Sequence, residues 1–209
     1  TSAIIILHSL IKNGNKNNLL YICQHQIYKL IMKKPIFWEK AKKDLIKKDK
    51  RLGNIINNYP GDFLFSKSDP FYTLARSIIG QQISVKAAQA VWDRFENKIK
   101  KVTPKNASNM HFMSMKSCGL SKQKISYLKS LSDAFLNKQI NPKKWINFTD
   151  EEIIGELVKI KGVGRWTAEM FLIFNLCRPD IFPADDLGVL KGICNCYNLN
   201  YPIDKNTAI

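Results

Sequence analysis

Two glycines one residue apart, Gly162 and Gly164, lie between basic residues in the segment KIKGVGRWTAEM. Glycine lets the chain turn sharply, and without a Cβ atom it allows main-chain N–H groups to approach a ligand closely. If a helix follows at Arg165, its first N–H groups and the positive end of its dipole face the same place. Together with the charge of Lys161 and the hydroxyl of Thr167, this pattern predicts a clamp for a backbone phosphate.

Two other structures contain closely spaced glycines. A dinucleotide-binding fingerprint needs a strand before the turn and a third small residue at its sixth position. Here a helical pattern precedes the turn and Thr167 occupies that position, so the fingerprint is excluded. An ordinary αα-hairpin with a glycine turn remains an alternative to the phosphate clamp.

The adjacent carboxylates of Asp185 and Asp186 are the second candidate for chemistry, in the segment FPADDLGV. They lie at the predicted start of a helix, where one aspartate commonly caps the first turn. The other carboxylate would then face a reaction centre between the phosphate clamp and the core. An ionised carboxylate in such a place stabilises positive charge and orients water.

The elements that must position these residues all have a helical period. We expect helices near residues 35–50, 70–79, 84–99, 121–138, 150–160, 165–176 and 187–197. Thr149 and Glu152 form a capping box at the start of one helix, Ser84 can cap another, and Gly80 can end the helix that begins at Pro70. Runs of alternating β-branched residues are missing, which predicts an all-α protein.

The chain is strongly basic. Against 33 Lys and Arg stand 17 Asp and Glu, giving a formal net charge of +16 over 209 residues. That excess favours a polyanionic partner, and nucleic acid is the first candidate. The alternative is the coding bias of an AT-rich genome, with the lysines forming a solvated face.

Cysteine usage and apolar runs exclude several classes. The five cysteines are odd in number and lack the spacing of zinc sites, so we expect reduced thiols; they are Cys23, Cys118, Cys177, Cys194 and Cys196. The apolar run 3–7 is too short to span a bilayer and has no basic residues before it. We therefore expect no signal peptide, no membrane partner and a cytoplasmic protein, associated with the nucleoid in a bacterium or nuclear in a eukaryote.

Four segments together resemble a known family. The runs LVKIKGVGRWTAEMFLIF and FPADDLGV resemble the helix-hairpin-helix base-excision glycosylases, above all the alkylated-base members called DNA-3-methyladenine glycosylase II. Upstream, PFYTLARSIIGQQISVKAA and GLSKQKISYLKSLSDAF match two earlier signatures of that family. The resemblance covers about residue 35 to about residue 195. It implies an all-α, two-lobed helix-hairpin-helix glycosylase fold with the active site in the cleft between the lobes.

The resemblance implies a catalytic role for Asp186, the second aspartate of its pair. Trp166 and Met170, one helical turn apart, match positions that line the base pocket, although plain core packing is the alternative for both. Members that also cut the strand carry a Schiff-base lysine where this chain has Trp166. The chain is therefore expected to be monofunctional and to leave an abasic site.

The resemblance also implies how DNA is held. The segment 81–84 matches a turn that enters the minor groove and fills the gap left by the displaced base, with a solvated loop as the alternative. The expected DNA-binding residues are Gln81, Gln82, Ser84, Lys161, Gly162, Gly164, Arg165 and Thr167. A structural Na⁺ or K⁺ ion on the carbonyl oxygens of Val158, Ile160 and Val163 is expected, no cofactor is required, and the cysteine set of iron–sulfur members is absent.

The function implied is hydrolysis of the N-glycosidic bond of alkylated purines in double-stranded DNA by a monomer. One alternative is a catalytically silent or truncated DNA-binding module, and another is a glycosylase for a different damaged or mismatched base. Residues 1–33 match nothing in the family, so we expect the fold to begin near Met32. Residues 34–209 form the expected glycosylase domain, which ends before the C-terminal helix of the family.

Overall fold

The computed structural model describes residues 34–66 and 69–208 of the chain. Regular structure in these ranges is helical, which confirms the all-α prediction. The helices are α1 (Trp38–Lys48), α2 (Lys50–Asn57), α3 (Pro70–Gly80), α4 (Val85–Ile99), α5 (Pro104–Asn109), α6 (Phe112–Ser117), α7 (Lys122–Leu136), the 3₁₀ helix η1 (Pro142–Asn147), α8 (Asp150–Leu157), α9 (Arg165–Phe174), α10 (Leu187–Tyr197) and α11 (Lys205–Ala208). The predictions for residues 1–33, including Cys23, lie outside the described residues.

The helix predicted near residues 35–50 is α1, and α2, which follows it directly, was not predicted. Asp49 separates them because it is extended, with φ −142° and ψ 115°. Its side chain accepts hydrogen bonds from the N–H groups of Arg51 at 2.8 Å and Leu52 at 3.0 Å, so it caps α2 as α1 ends. The sequence contained this signal, an aspartate inside a lysine-rich helical run.

Predicted helix starts agree with the structure at two caps. Thr149 and Glu152 form the capping box of α8, with a bond from the Thr149 N–H to Glu152 Oε2 at 2.7 Å. Ser84 caps α4 by accepting from the Ala87 N–H at 3.3 Å. Gly80 is the last residue of α3, but the left-handed residue that follows is Gln82, with φ +57°.

The described residues divide into two compact units. We call residues 69–171 the hairpin unit and residues 34–66 with 172–208 the aspartate unit. In the hairpin unit α7 packs against α3, α5 and α6. Phe71 and Phe135 meet edge to face across α3 and α7, with ring centroids 5.3 Å apart.

The aspartate unit is built on α1, α2 and α10. Trp38, 2% exposed, anchors α1 and donates its indole N–H to the Asp62 carbonyl at 3.1 Å. Tyr197 at the end of α10 donates its hydroxyl to Asp49 Oδ2 at 2.5 Å, which ties α10 to the cap of α2. The Arg51 guanidinium lies 5.4 Å from the centre of the Tyr197 ring.

Across residues 34–66 and 69–208, no helix combines the length and apolar character needed to cross a membrane.

Candidate functional site

The turn between α8 and α9 requires glycine at position 162. Gly162 has φ +88°, in the left-handed region that L side chains rarely adopt. A Cβ atom there would lie 2.2 Å from Cγ and Cδ2 of Tyr127, so the aromatic ring occupies the space of the missing side chain. The first glycine is therefore needed for the packing of the protein itself.

Gly164 is different, because nothing in the protein fills the space beside it. No heavy atom lies within 4 Å of a Cβ built there, and the residue is exposed. Its carbonyl accepts from the Ala168 N–H at 3.0 Å, which begins the hydrogen-bond ladder of α9. The main chain at Gly164 is thus open where a side chain would lie, beside the start of α9, where N–H groups have no partner within the helix.

The two basic residues of the hairpin differ in their surroundings. Lys161 is exposed to solvent. Arg165 instead forms ion pairs with both carboxylate oxygens of Glu151, one of them at 3.0 Å, and with Glu169 Oε1 at 3.0 Å. The hydrogen bonds from Arg165 lower the pKa of Glu151 below its ordinary value. Arg165 thus has two acidic partners within the protein, and its expected contact with DNA stays a prediction.

Thr167 lies inside the hairpin. Its side chain is buried, at 3% exposure, and its hydroxyl lies 3.4 Å from Nε2 of Gln81. The same Nε2 donates to the Gly162 carbonyl at 2.9 Å. Gln81 is therefore bound to the hairpin rather than held in a solvated loop, and the phosphate contact expected of the Thr167 hydroxyl stays a prediction.

The residues after Gln81 form an exposed turn. Gln82 is exposed and left-handed, a conformation uncommon outside glycine. Ile83 is 39% exposed and Val85 is 88% exposed, although both are apolar. Sequence reasoning placed Ile83 in the segment 81–84 expected to enter the minor groove, but it did not single out Val85. The signal that could have found Val85 is an apolar residue directly after the capping Ser84.

The first turns of α9 present an aromatic surface. Trp166 is 43% exposed, so the alternative of plain core packing does not hold for it. Met170, one turn later, is partly buried. Ala168 and Phe171 on the other side of the helix are fully buried, and Trp145 packs edge to face on Phe171 with ring centroids 5.3 Å apart. The helix thus has an anchored side and an accessible side.

A metal ion held by side chains needs several His, Cys, Asp or Glu residues close together. In residues 34–66 and 69–208 no group of three or more His, Cys, Asp or Glu side chains could hold a metal ion. The cation expected on the carbonyls of Val158, Ile160 and Val163 uses no such side chains, so it stays a prediction. The Ile160 carbonyl accepts from the Val163 N–H at 3.0 Å.

In the aspartate unit the two adjacent carboxylates have separate partners. Asp186 is the N-cap of α10, and its Oδ1 accepts from the N–H groups of Gly188 at 2.8 Å and Val189 at 3.0 Å. Asp185 is exposed and forms an ion pair with Lys205.

This assignment corrects the sequence expectation that one aspartate caps the helix while the other carries the chemistry. The cap belongs to Asp186, the residue that the resemblance marks as catalytic, because α10 begins directly after it at Leu187. Two backbone N–H groups hold its carboxylate in one orientation. Leu187 is 62% exposed, another apolar residue beside a candidate group that the sequence analysis did not select.

Known proteins match most of the described chain. A family model described as HhH-GPD superfamily base excision DNA repair protein matches residues 75–208. DNA-3-methyladenine glycosylase 1 of Schizosaccharomyces pombe is 40% identical over 147 residues, which are 68% of this chain and 64% of that protein. DNA-3-methyladenine glycosylase of Saccharomyces cerevisiae is 38% identical over 136 residues, 59% of this chain and 45% of that protein. The chain thus spans less than two thirds of either curated relative.

A solved structure of a glycosylase is also similar to this chain. The structure of the Schizosaccharomyces pombe 3-methyladenine DNA glycosylase in complex with abasic DNA matches this chain with a TM-score of 0.71 and 35% identity, over 80% of this chain and 85% of that one. The resemblance drawn from the sequence motifs is confirmed. The chain belongs to the HhH-GPD superfamily of base excision DNA repair proteins.

Proposed function

We propose that the chain is a monofunctional DNA glycosylase that hydrolyses the N-glycosidic bond of alkylated purines of the 3-methyladenine type in double-stranded DNA. The observation that carries the proposal is the oriented carboxylate of Asp186, held by two N–H groups of α10. It lies at the position that matches the catalytic aspartate of the family. The names of the two yeast relatives support the alkylated-base class.

Asp186 acts on the sugar. Because a base inside a duplex is out of reach, the nucleotide is first flipped out, at a cost that is lowest for damaged or poorly paired bases. As the bond from C1′ to the base nitrogen breaks, its electrons go to the base and positive charge develops on the deoxyribose. The carboxylate of Asp186 stabilises that charge and orients the water whose oxygen bonds to C1′. The proton lost by the water goes to the carboxylate or to solvent.

Trp166 contributes to the choice of base. A purine methylated at a ring nitrogen is already cationic, so it leaves as a neutral base and needs no general acid. The 43% exposure of Trp166 supports a role for its ring face in binding a cation, worth about 1–2 kcal/mol when desolvated. Met170, one turn along α9, is proposed to line the same pocket. With Trp166 in place of a Schiff-base lysine, the product is an abasic site.

The hairpin unit holds the DNA backbone. The open main chain at Gly164 supports phosphate binding by backbone N–H groups, and the exposed ammonium group of Lys161 adds charge attraction. Gln82, exposed and left-handed, is the residue proposed to fill the gap left by the flipped base. Ser84 orients the turn by capping α4.

The remaining assignments follow the family. We propose that the protein acts as a monomer without a cofactor or an iron–sulfur cluster, and that Na⁺ or K⁺ binds the carbonyls of Val158, Ile160 and Val163. The glycosylase domain is proposed to cover residues 34–209, with residues 1–33 outside it. As an enzyme of DNA repair, it is proposed to work in the cytoplasm beside the nucleoid of a bacterium or in the nucleus of a eukaryote.

The test is release of free base from duplex DNA treated with a methylating agent. The chain is expected to release methylated purine and to leave strands intact until alkali cleaves the abasic sites. Untreated duplex is the control. If no base is released while salt-sensitive DNA binding is intact, the protein is a catalytically silent DNA-binding module. Strand cleavage without alkali would contradict the monofunctional assignment.

A further inference from the structure

The side chain of Gln81 joins the exposed turn after α3 to the hairpin. Its Nε2 donates to the Gly162 carbonyl at 2.9 Å and lies 3.4 Å from the Thr167 hydroxyl. These partners come from opposite ends of the hairpin, one from the turn and one from α9. All three residues belong to the hairpin unit, so the contact is internal to one compact body.

Two hydrogen bonds fix the peptide unit between Gly162 and Val163, one at its carbonyl oxygen and one at its N–H group. Gln81 holds its carbonyl oxygen, and the Val163 N–H donates to the Ile160 carbonyl at 3.0 Å. Because a peptide unit is planar, hydrogen bonds at both ends fix the orientation of its plane. That plane directs the chain into Gly164, where the main chain is open to an anion.

The other side of Gly162 is closed by Tyr127. The ring of Tyr127 occupies the place of a Cβ atom, and its hydroxyl accepts from Gln123 Nε2 at 2.6 Å. Gly162 is therefore held between an aromatic ring and the amide of Gln81. The Tyr127 ring and the bond from the Val163 N–H to the Ile160 carbonyl hold the hairpin without Gln81, whereas the turn after α3 loses its attachment when Gln81 is displaced.

Gln82 follows directly in the chain. Its left-handed backbone, at φ +57°, is strained for a residue with a side chain and persists only where its surroundings hold it. The bond from Gln81 to the hairpin and the cap at Ser84 are the constraints on either side of Gln82. The conformation of Gln82 therefore depends on the attachment of Gln81 to the hairpin.

We propose that Gln81 is a positioning residue that couples the phosphate-binding hairpin to the gap-filling turn, so that both engage DNA as one body. The inference rests on the proposed function for the roles of the hairpin and of Gln82. It assigns Gln81 a role inside the protein, where the family resemblance implied direct DNA contact. The coupling makes a correctly placed phosphate a condition for inserting Gln82 at a displaced base.

The experiment measures binding to a duplex that carries a stable abasic-site analogue and to the same duplex without it. Gln81→Met keeps the length of the side chain but removes the donor. Discrimination between the duplexes is expected to fall about fivefold, the size of one hydrogen bond's net contribution, while affinity for the intact duplex stays within about twofold. Gln139→Met, at an exposed position outside the hairpin and the turn, is the matched control.

A double-mutant cycle separates coupling from a general loss of structure. Gln82→Ala should lower discrimination in the parent chain but have little further effect in the Gln81→Met background, because the turn is already uncoupled. Fluorescence of 2-aminopurine opposite the abasic analogue reports the same insertion. Additive effects, unchanged discrimination in Gln81→Met, or equal losses for both duplexes would overturn the inference.

If Gln81→Met unfolds, Gln81→Glu can test whether the hydrogen bond from residue 81 is needed for discrimination between the duplexes. An ionised glutamate has no proton to donate to the Gly162 carbonyl, whereas a protonated glutamic acid does. Discrimination should therefore be low near neutral pH and recover as the pH falls through the pKa of the new carboxyl group, relative to the parent at each pH. No recovery would count against the proposal.

The two proposals fail separately. Binding to the abasic analogue requires no base release, so a chain that leaves methylated DNA intact but shows the coupling loses only the glycosylase proposal. A parent chain that does not prefer the abasic duplex overturns the coupling, whatever its activity.

Discussion

The two glycines of the hairpin have different physical roles. Gly162 is left-handed and touches the ring of Tyr127, whereas Gly164 faces open space. The same residue type thus satisfies internal packing at one position and leaves room for a ligand at the other. Spacing alone cannot distinguish these roles, because they depend on a ring from a distant helix.

Gly162→Ala and Gly164→Ala should therefore give opposite results. Gly162→Ala is expected to lower the free energy of unfolding by about 3 kcal/mol, from left-handed strain and overlap with Tyr127. Gly164→Ala should cost less than about 1 kcal/mol. Its methyl group should nevertheless keep a phosphate away from the main-chain N–H groups and weaken binding to any duplex about tenfold, the size of one lost hydrogen bond to a charged group. Thermal unfolding and DNA titration of both variants check this, and unchanged binding by Gly164→Ala would argue against the phosphate clamp.

Substitution of Trp166 tests whether its ring lines the base pocket. Because the ring is partly exposed, Trp166→Ala should change stability by less than about 1 kcal/mol, while Trp145→Ala, at a buried position, should cost about 3–5 kcal/mol. Trp166→Ala should also reduce preference for a cationic methylated purine over a neutral lesion about tenfold. The measurement is release of both bases by each variant that folds. A Trp166→Ala protein with unaltered preference would remove the ring from base recognition.

At the scale of the element, helix starts follow from local chemistry. The capping box of Thr149 and Glu152 and the cap at Ser84 could be predicted because a side-chain oxygen and the N–H groups it binds lie within a few residues. Asp49 carried the same type of signal for α2, but among so many lysines this cap was not recognised and α2 was not predicted. The choice between Asp185 and Asp186 depended on the first residue of α10, and a shift of one residue reverses it.

Contacts between elements could not be predicted from such signals. The bond from Gln81 to Gly162 and the ion pairs of Arg165 with Glu151 join residues far apart in sequence. Charge and spacing predicted that Arg165 binds phosphate, whereas its ion pairs with Glu151 and Glu169 became visible only in the fold. Candidate groups can thus be named from sequence, while their partners require the structure.

The tie between α2 and α10 predicts a pH-dependent stability. The Tyr197 hydroxyl, then the Leu52 N–H, lower the pKa of Asp49, whereas burial and the nearby Asp49 raise that of Tyr197. Tyr197→Phe should cost about 1 kcal/mol near neutral pH. Asp49 stabilises the fold above its ordinary pKa of about 3.9, and Tyr197 does so below about 10, so the cost should shrink outside those limits.

Thermal unfolding of the parent and of Tyr197→Phe across this pH range measures the effect. Tyr201→Phe, at an exposed hydroxyl, is the matched control and should change stability by only a few tenths of a kcal/mol. A difference between the parent and Tyr197→Phe that stays constant from acid to alkaline pH would exclude the linkage.

At the scale of the whole molecule, charge and family point to the same partner. The net charge of +16 favours a polyanionic partner. The family model matches residues 75–208, which include parts of both compact units. Composition alone left coding bias as an alternative for the lysines. The proposed DNA partner would explain that charge.

The salt dependence of DNA binding tests this explanation. If about six phosphates are neutralised, affinity should fall about a thousandfold between about 50 and about 200 mM salt, with a linear dependence of log K on log salt. A duplex with uncharged methylphosphonate linkages at the contact sites should show a shallower slope. Weak binding that does not respond to salt would indicate that the lysines form a solvated surface and do not bind DNA.

In the proposed reaction the oriented carboxylate of Asp186 drives base release. Its most direct test compares single-turnover release of methylated purine by the parent, Asp186→Asn and Asp185→Asn. Asparagine caps a helix about as well as aspartate, so both variants should fold. We expect a loss of at least about a hundredfold for Asp186→Asn and less than about threefold for Asp185→Asn. Release by Asp186→Asn at the parent rate would contradict the proposed reaction.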